Sequence, residues 1–145
     1  MSLRYLHMPI GQMTSIFSYG AQQSEEILHP TWEQVQEAIR RLDRDMFPSI
    51  WLYTTPVTET NDDVPQFEVT GGDGAYVVQI RSDASDYRGR ILQNPSGGNE
   101  EVEVWTSDQG ASFAAHNVCT HLEEVLRVTR HFFDHGEPAP HTQWR

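Results

Sequence analysis

The closing stretch of the chain, Thr120–Arg145, constrains the possible fold more than any other segment. Apolar residues recur at helical spacing between residues 121 and 135, and they predict one buried helix face formed by Leu122, Val125, Leu126 and Phe133. Thr120 and Glu123 have the spacing of a capping box, in which each side chain satisfies a free backbone N–H at the helix start. We therefore expect a long helix that packs one face against a core.

The residues after this helix predict a stop and a return towards the core. Gly136 can take the left-handed conformation that ends helices, and Pro138 and Pro140 prevent the helix from resuming. Trp144 follows this stiff elbow, which favours its folding back against the body of the protein. The sequence thus predicts a structural role for the helix and its tail.

The rest of the chain predicts strands and one further helix. A helix is expected to start with Pro30 in its first turn and to end at Pro48, with its apolar face formed by Trp32, Val35, Ile39, Leu42 and Met46. A polar loop is expected over residues 24–29. Branched, aromatic and alternating apolar residues predict strands at Thr14–Tyr19, Ile50–Thr55, Phe67–Thr70, Ala75–Arg81, Ile91–Leu92 and Glu101–Trp105.

These elements predict an α+β fold in a single domain spanning residues 1–145. We expect an antiparallel sheet of about five to six strands packed with two main helices. Residues 1–13 are expected to be an irregular or tag-derived N-terminus. Gly71–Gly74 joins two strands and lacks a lysine or a following helix, which favours a hairpin turn over a phosphate-binding loop.

Three segments resemble the Imm-one group of immunity proteins, which neutralise toxins of bacterial polymorphic toxin systems. The first is the C-terminal segment, which contains Phe132-Phe133, Gly136, two prolines and Trp144. The second is the hairpin over residues 67–80, and the third is the first helix, over residues 31–42. The resemblance spans roughly residues 15–145. It implies an α+β protein that binds a cognate toxin, and because such proteins are often paired with deaminase-superfamily toxins, it implies a toxin that modifies nucleic acid.

Charge favours a protein partner over nucleic acid. The formal net charge is −11, and all ten bases are arginine. Between Arg44 and Arg81, and again between Arg90 and Arg127, there are six acids and no base. Binding to nucleic acid needs clustered positive charge, whereas single-sign acidic regions attract a basic protein. No apolar run is long enough to span a bilayer, and no secretory signal stands at the start, so we expect a cytoplasmic protein.

The strand Glu101–Trp105 is the candidate for the toxin-binding surface. Its alternation places Val102 and Val104 on one side and Glu101, Glu103 and Trp105 on the other. If the valines face the core, a tryptophan lies on an acidic exposed face, as at many protein interfaces. The alternative is that another element covers this face and Trp105 belongs to the core. Further charges expected near this surface are Asp62, Asp63 and Asp73.

Candidate enzyme chemistry is weaker. His131, Asp134 and His135 have the spacing of a metal site, so a small metal-dependent hydrolase is one alternative function. Histidines are also favoured near a helix C-terminus without any metal. Cys119, the single cysteine, is more typical of a core residue than of a nucleophile.

The sequence therefore favours a non-enzymatic immunity protein without a cofactor or a resident metal. Its expected mode of action is to occlude the active site of a basic toxin, such as a deaminase, with an acidic surface. An inhibitor of a nuclease-type toxin is a further alternative, because the same surface would suit it.

Overall fold

A computed structural model describes residues 13–18, 23–53, 65–81, 89–107 and 110–145, and it confirms the predicted α+β class. The described part contains two α-helices and eight strands. In chain order these are β1 (Met13–Ser18), β2 (Gln23–Leu28), α1 (Trp32–Arg41), β3 (Ser49–Tyr53), β4 (Gln66–Gly72), β5 (Ala75–Arg81), β6 (Arg90–Ile91), β7 (Glu101–Trp105), β8 (Ala111–Ala114) and α2 (Leu122–His135).

The strands form two antiparallel sheets. The main sheet has six strands in the order β2-β1-β3-β4-β5-β6, which agrees with the predicted five to six. β7 pairs with β8 in a separate two-stranded sheet, a division that the sequence did not predict. A 3₁₀ turn at Ala115–Asn117 follows β8.

The main core lies between one face of the main sheet and the two helices. Alternate residues of β3, β4 and β5 point into it, as the period of two in a strand requires. Phe132 of α2 stacks on Phe67 of β4 with ring centroids 5.0 Å apart and planes inclined by 25°. Both rings are fully buried, so this pair joins α2 to the middle of the sheet.

A smaller core lies on the opposite face of the main sheet, where the two-stranded sheet covers part of β5. It consists of buried Ala75 and Val77 from β5, Val104 from β7, and Val118. The small sheet covers the end of β5 nearest the β4–β5 turn and leaves the other end of this face uncovered by it.

The β4–β5 hairpin turns at Asp73 and Gly74, with φ of 50° and 87°. Positive φ at both central residues is typical of a tight hairpin turn, and the predicted hairpin is confirmed. Gly71 and Gly72 also have positive φ, 134° and 141°, although they lie within β4. A Cβ on Gly72 would lie only 2.5 Å from the carbonyl oxygen of Leu42, so glycine is required there by a close backbone approach.

Helix α1 differs from its predicted bounds. It has a capping box that we did not predict: Thr31 Oγ1 accepts from the Gln34 N–H at 3.2 Å, and Gln34 Oε1 accepts from the Thr31 N–H at 2.8 Å. Pro30 therefore precedes the helix and does not lie in its first turn, contrary to expectation.

The predicted end of α1 at Pro48 is also wrong, because the helix ends at Arg41. The Asp43 carboxylate accepts hydrogen bonds from the N–H groups of Asp45 and Phe47, at 3.0 and 2.9 Å, and holds a turn there. Met46 lies in this turn with 42% of its surface exposed, so its predicted place on the helix face is wrong.

The polar loop expected over residues 24–29 is instead mostly strand β2. Its residues pair along the whole of β1, from Met13↔Leu28 to Ser18↔Gln23. Backbone pairing at the edge of the sheet thus overrides a polar sequence that favours a loop.

Helix α2 buries Val125, Leu126 and Phe133 as predicted, while Leu122 is half-buried against the main core. Gly136 ends the helix with φ of 71°, and its N–H donates to the Phe132 carbonyl at 2.7 Å, which confirms the predicted stop.

The predicted capping box at the start of α2 is wrong. His121 occupies the N-cap position, and no side chain caps the helix there. Thr120 therefore lies one residue too early for the role that its spacing with Glu123 suggested.

The tail after α2 returns to the main sheet. Residues 143–145 run antiparallel to residues 91–93: Ile91 and Arg145 exchange two backbone hydrogen bonds of 2.9 and 3.0 Å, and the Gln93 N–H donates to the Gln143 carbonyl at 2.9 Å. Trp144 packs against the main core, and its indole N–H donates to the Ala139 carbonyl at 3.3 Å. The predicted return of Trp144 to the body of the protein is confirmed.

None of the helices in these described ranges is long and apolar enough to cross a membrane.

Candidate partner-binding surface

The alternation of β7 is as predicted for its first four residues. Glu101 and Glu103 are exposed, Val104 is fully buried, and Val102 is half-buried. A shift in pairing register between Glu103 and Trp105 marks a bulge. The bulge changes the direction of the last residue, because an extra residue in one strand locally re-aims its side chains.

Trp105 is half-buried. It is therefore neither the fully exposed residue nor the core residue that the sequence left as alternatives. Its indole N–H donates to Ser107 Oγ at 2.9 Å, and this hydroxyl donates in turn to the Asp45 carbonyl at 2.9 Å. Trp105 is therefore attached to the turn after α1 and presents only part of its ring to solvent.

The turn after α1 also joins β7 to the hairpin. Arg44 accepts a backbone hydrogen bond from Thr106 at 2.8 Å and donates one to the Gly71 carbonyl at 2.9 Å. Asp73, exposed at the tip of this hairpin, and Glu103 are thus tied to the same loop. We refer to Glu101, Glu103, Trp105 and Asp73 as the β7 surface.

This surface is not purely acidic. The Arg44 guanidinium donates to the backbone carbonyl of Glu103 at 3.2 Å, so one base lies among the carboxylates. Asp62 and Asp63, the other two predicted partner-binding residues, lie outside the described residues.

A second exposed side chain, which sequence reasoning missed, is Trp51. It lies on the part of the main sheet that the two-stranded sheet does not cover. Trp51 is directly opposite Glu68 in the β3–β4 register and has 38% of its surface exposed. The strand pattern places Trp51 on the opposite face of β3 from Ile50 and Leu52, which are buried. What it lacked was knowledge of which sheet face the small sheet covers.

Glu68 has an unusual environment for a carboxylate on a sheet face. Burial raises its pKa, while hydrogen bonds from Thr70 and Trp51 and the charge of Arg81 act in the opposite direction without offsetting the burial. The Thr70 hydroxyl donates to Glu68 Oε2 at 3.0 Å. The carboxylate of Glu68 is therefore partly removed from water, and its neighbours do not fully make up for this loss of solvation.

The predicted metal-site alternative is not assembled by the fold. The His131 and His135 rings lie 4.5 Å apart, but Asp134 pairs with Arg130 at 2.9 Å. His131 Nε2 has no hydrogen-bond partner, and a carboxylate oxygen of Glu137 lies 3.8 Å away. In the described ranges, no group of three or more potential ligands could hold a metal ion.

Cys119 is buried, and burial raises the pKa of its thiol. Its Sγ lies 3.4 Å from the His121 carbonyl, to which it donates. A reactive cysteine needs a lowered pKa and access to solvent, and Cys119 has the opposite properties.

Comparison with known proteins gives one result that covers most of the chain. The family model described as immunity protein Imm1 matches residues 23–145, from β2 through the C-terminal tail. No curated protein matches the chain. Membership of an immunity protein family suggests toxin immunity and implies a cognate toxin as partner, and such families are generally non-enzymatic. The chain belongs to the Imm1 immunity protein family.

Proposed function

We propose that this protein neutralises a cognate toxin in the cytoplasm by binding it through the β7 surface and occluding its active site. The observation that supports this proposal is the pair of exposed carboxylates on β7, whose strand is joined through the turn after α1 to the β4–β5 hairpin. Glu101 and Glu103 steer and pair with a basic partner, and the exposed part of the Trp105 ring adds apolar contact at the edge. Asp62 and Asp63, which lie outside the described residues, are included in this proposal on charge alone.

Charge supports a basic partner. The protein has a formal net charge of −11, and complementary charge raises association rates between proteins. A toxin that acts on nucleic acid surrounds its active site with positive charge, because phosphate contacts require it. An acidic inhibitor can therefore occupy the place of the substrate backbone.

Within this class we propose a deaminase-superfamily toxin, which attacks a cytosine or adenine base with a zinc-activated water. The proposal of a deaminase rests on the family resemblance, and that of a basic target rests on charge. The alternative target is a nuclease-type toxin, and activity assays distinguish it from a deaminase.

The test uses the toxin domain encoded by the gene directly upstream. Binding is measured by stopped flow over a series of salt concentrations, together with deamination of single-stranded DNA and RNA and, separately, nuclease activity. We expect the wild-type protein to bind and to abolish deamination. The double variant Glu101→Lys/Glu103→Lys should associate at least about tenfold more slowly at low salt, with weaker salt dependence.

A matched control is Glu33→Lys/Glu37→Lys, which reverses two exposed charges on α1. It makes the same change in net charge away from the β7 surface. Equal slowing by both pairs would mean that only net charge matters and would remove the β7 surface from the proposal. Absence of wild-type binding would remove the proposal altogether.

We also propose that protection requires no catalytic residue of this chain. Alanine at each candidate residue, Cys119, His131 and His135, should leave toxin neutralisation intact, as should alanine at His116, a histidine close to Cys119 in sequence. Growth of cells that co-express the toxin measures this. Loss of protection by a variant that still folds and binds would revive an enzymatic role.

A further inference from the structure

The part of the main sheet that the two-stranded sheet does not cover contains a hollow. On β5, Val77 lies in the small core under β7, whereas Gln79, two residues further on the same face, lines the hollow. The hollow is shallow, with a volume of about 20 Å³ that suits about one water molecule, and its walls include Trp51, Glu68 and Arg81. We call it the sheet hollow. It adjoins the small sheet, so one partner could contact both surfaces.

Trp51 provides an apolar wall that is open to solvent. Among the residues whose burial the structure describes, Trp51 and Met46 are the exposed large hydrophobic side chains. The Trp51 ring lies 6.3 Å from that of Tyr53, inclined by 59°, so a neighbouring aromatic supports it on the same strand. Tryptophan residues in such settings frequently dominate the energy of protein interfaces.

Glu68 provides a charge next to this wall. Its carboxylate receives hydrogen bonds from the Thr70 hydroxyl and the Trp51 side chain. A carboxylate has about four acceptor positions, so these two donors leave room for more. A cation placed at the open acceptor positions would stabilise the charged form of Glu68, which burial disfavours.

We propose that an arginine side chain of the toxin docks over the mouth of the sheet hollow, where its guanidinium stacks on the exposed Trp51 ring and pairs with the carboxylate of Glu68. A planar guanidinium fits both groups, since it stacks on aromatic faces and donates two parallel hydrogen bonds to a carboxylate. This assignment rests on the proposed function and places the central contact at β3 and β4. The β7 surface then steers the toxin from the side.

The experiment measures the dissociation constant of the upstream-encoded toxin domain by calorimetry. Glu68→Gln and Trp51→Ala should each weaken binding by roughly 30-fold or more, because each removes one half of a desolvated contact. Glu37→Gln removes a carboxylate from the exposed face of α1 and should leave affinity unchanged. Thermal unfolding of each variant separates weakened binding from loss of fold, and Glu68→Gln is expected to fold at least as well as wild type.

The arginine is identified by a double-mutant cycle. Each exposed arginine of the toxin domain is changed to alanine and measured against wild type and Glu68→Gln. One arginine should lose most of its effect when Glu68 is already glutamine. If Glu68→Gln weakens binding but no arginine shows this coupling, the assignment of an arginine is overturned.

Two further results are decisive. If wild-type protein binds and the hollow variants bind equally well, the sheet hollow is not the anchor, although the proposed function stands; a loss confined to Trp105→Ala would place the anchor on β7. If wild-type protein does not bind the toxin domain, the proposed function and this inference fail together.

Discussion

Gly72 and Gly74 lie two residues apart in the β4–β5 hairpin, yet alanine should have very different effects at the two positions. Both glycines have positive φ, 141° and 87°. At Gly74 an added Cβ would meet no atom within 4 Å. At Gly72 it would lie 2.5 Å from the Leu42 carbonyl oxygen and 2.6 Å from the Asp43 nitrogen. These are backbone atoms, so no side chain can rotate away to make room.

The expected costs follow from these environments. Either alanine strains the backbone by about 1–2 kcal/mol, since an L-residue is disfavoured at positive φ. Gly72→Ala must also push the hairpin away from the turn after α1. That movement threatens the Asp43↔Gly72 bridge and the hydrogen bond from Arg44 to Gly71, at about 1 kcal/mol for each hydrogen bond. We expect a loss of roughly 3–5 kcal/mol for Gly72→Ala and about 1–2 kcal/mol for Gly74→Ala.

Urea unfolding followed by tryptophan fluorescence measures both free energies of unfolding. The m-value should stay constant, which shows that the unfolded state is unchanged. Losses that agree within about 0.5 kcal/mol would refute the reasoning, because they would show that the close approach at Gly72 relaxes without cost.

Three further predictions concern stability. Phe133→Ala should lower the free energy of unfolding by roughly 3–5 kcal/mol because the ring is buried, and a loss under about 1 kcal/mol in urea would contradict its place in the core. Burial raises the pKa of Glu68, so the native state binds this proton more tightly than the unfolded state, and the contribution of Glu68 to stability falls as pH rises from its ordinary pKa to the raised pKa of the native state. Glu68→Gln should therefore gain stability relative to wild type as pH rises through that range, and a pH-independent difference in melting temperature would argue against this. Thr31→Ala should lower the free energy of unfolding by about 1 kcal/mol, because it removes the capping box. Thr120→Ala lies at an exposed position before an uncapped helix and should change it by less than about 0.5 kcal/mol. Equal losses for the two variants in chemical denaturation would show that the cap contributes nothing.

The elements that the sequence predicted well are those whose signals are local. Strict alternation fixed β7, and a glycine followed by prolines fixed the end of α2 at Gly136. The hairpin of β4 and β5 followed from its glycines between two apolar strands. In each case the deciding residues lie within a few positions of one another, so no knowledge of the remote chain was needed.

The errors involve partners that are distant in sequence. Helix α1 was predicted to end at Pro48 but ends at Arg41. The reason is that Asp43 holds a turn that also bonds to the hairpin and to the chain after β7. β2 is polar and is a strand because β1 pairs with it. The sheet hollow could not be predicted from Trp51 alone, because its exposure depends on where the two-stranded sheet stops covering the main sheet.

The C-terminal tail has a consequence for the timing of folding during synthesis. Residues 143–145 pair with residues 91–93, and Phe132, Phe133 and Trp144 complete the core over the main sheet. While residue 144 is still within the ribosome, β3, β4 and β5 have emerged with one apolar face that α2 cannot yet fully cover. Because long-range contacts form only after the intervening chain is available, the native core is completed after translation of this segment. Any function that depends on the complete core must therefore await translation through Trp144.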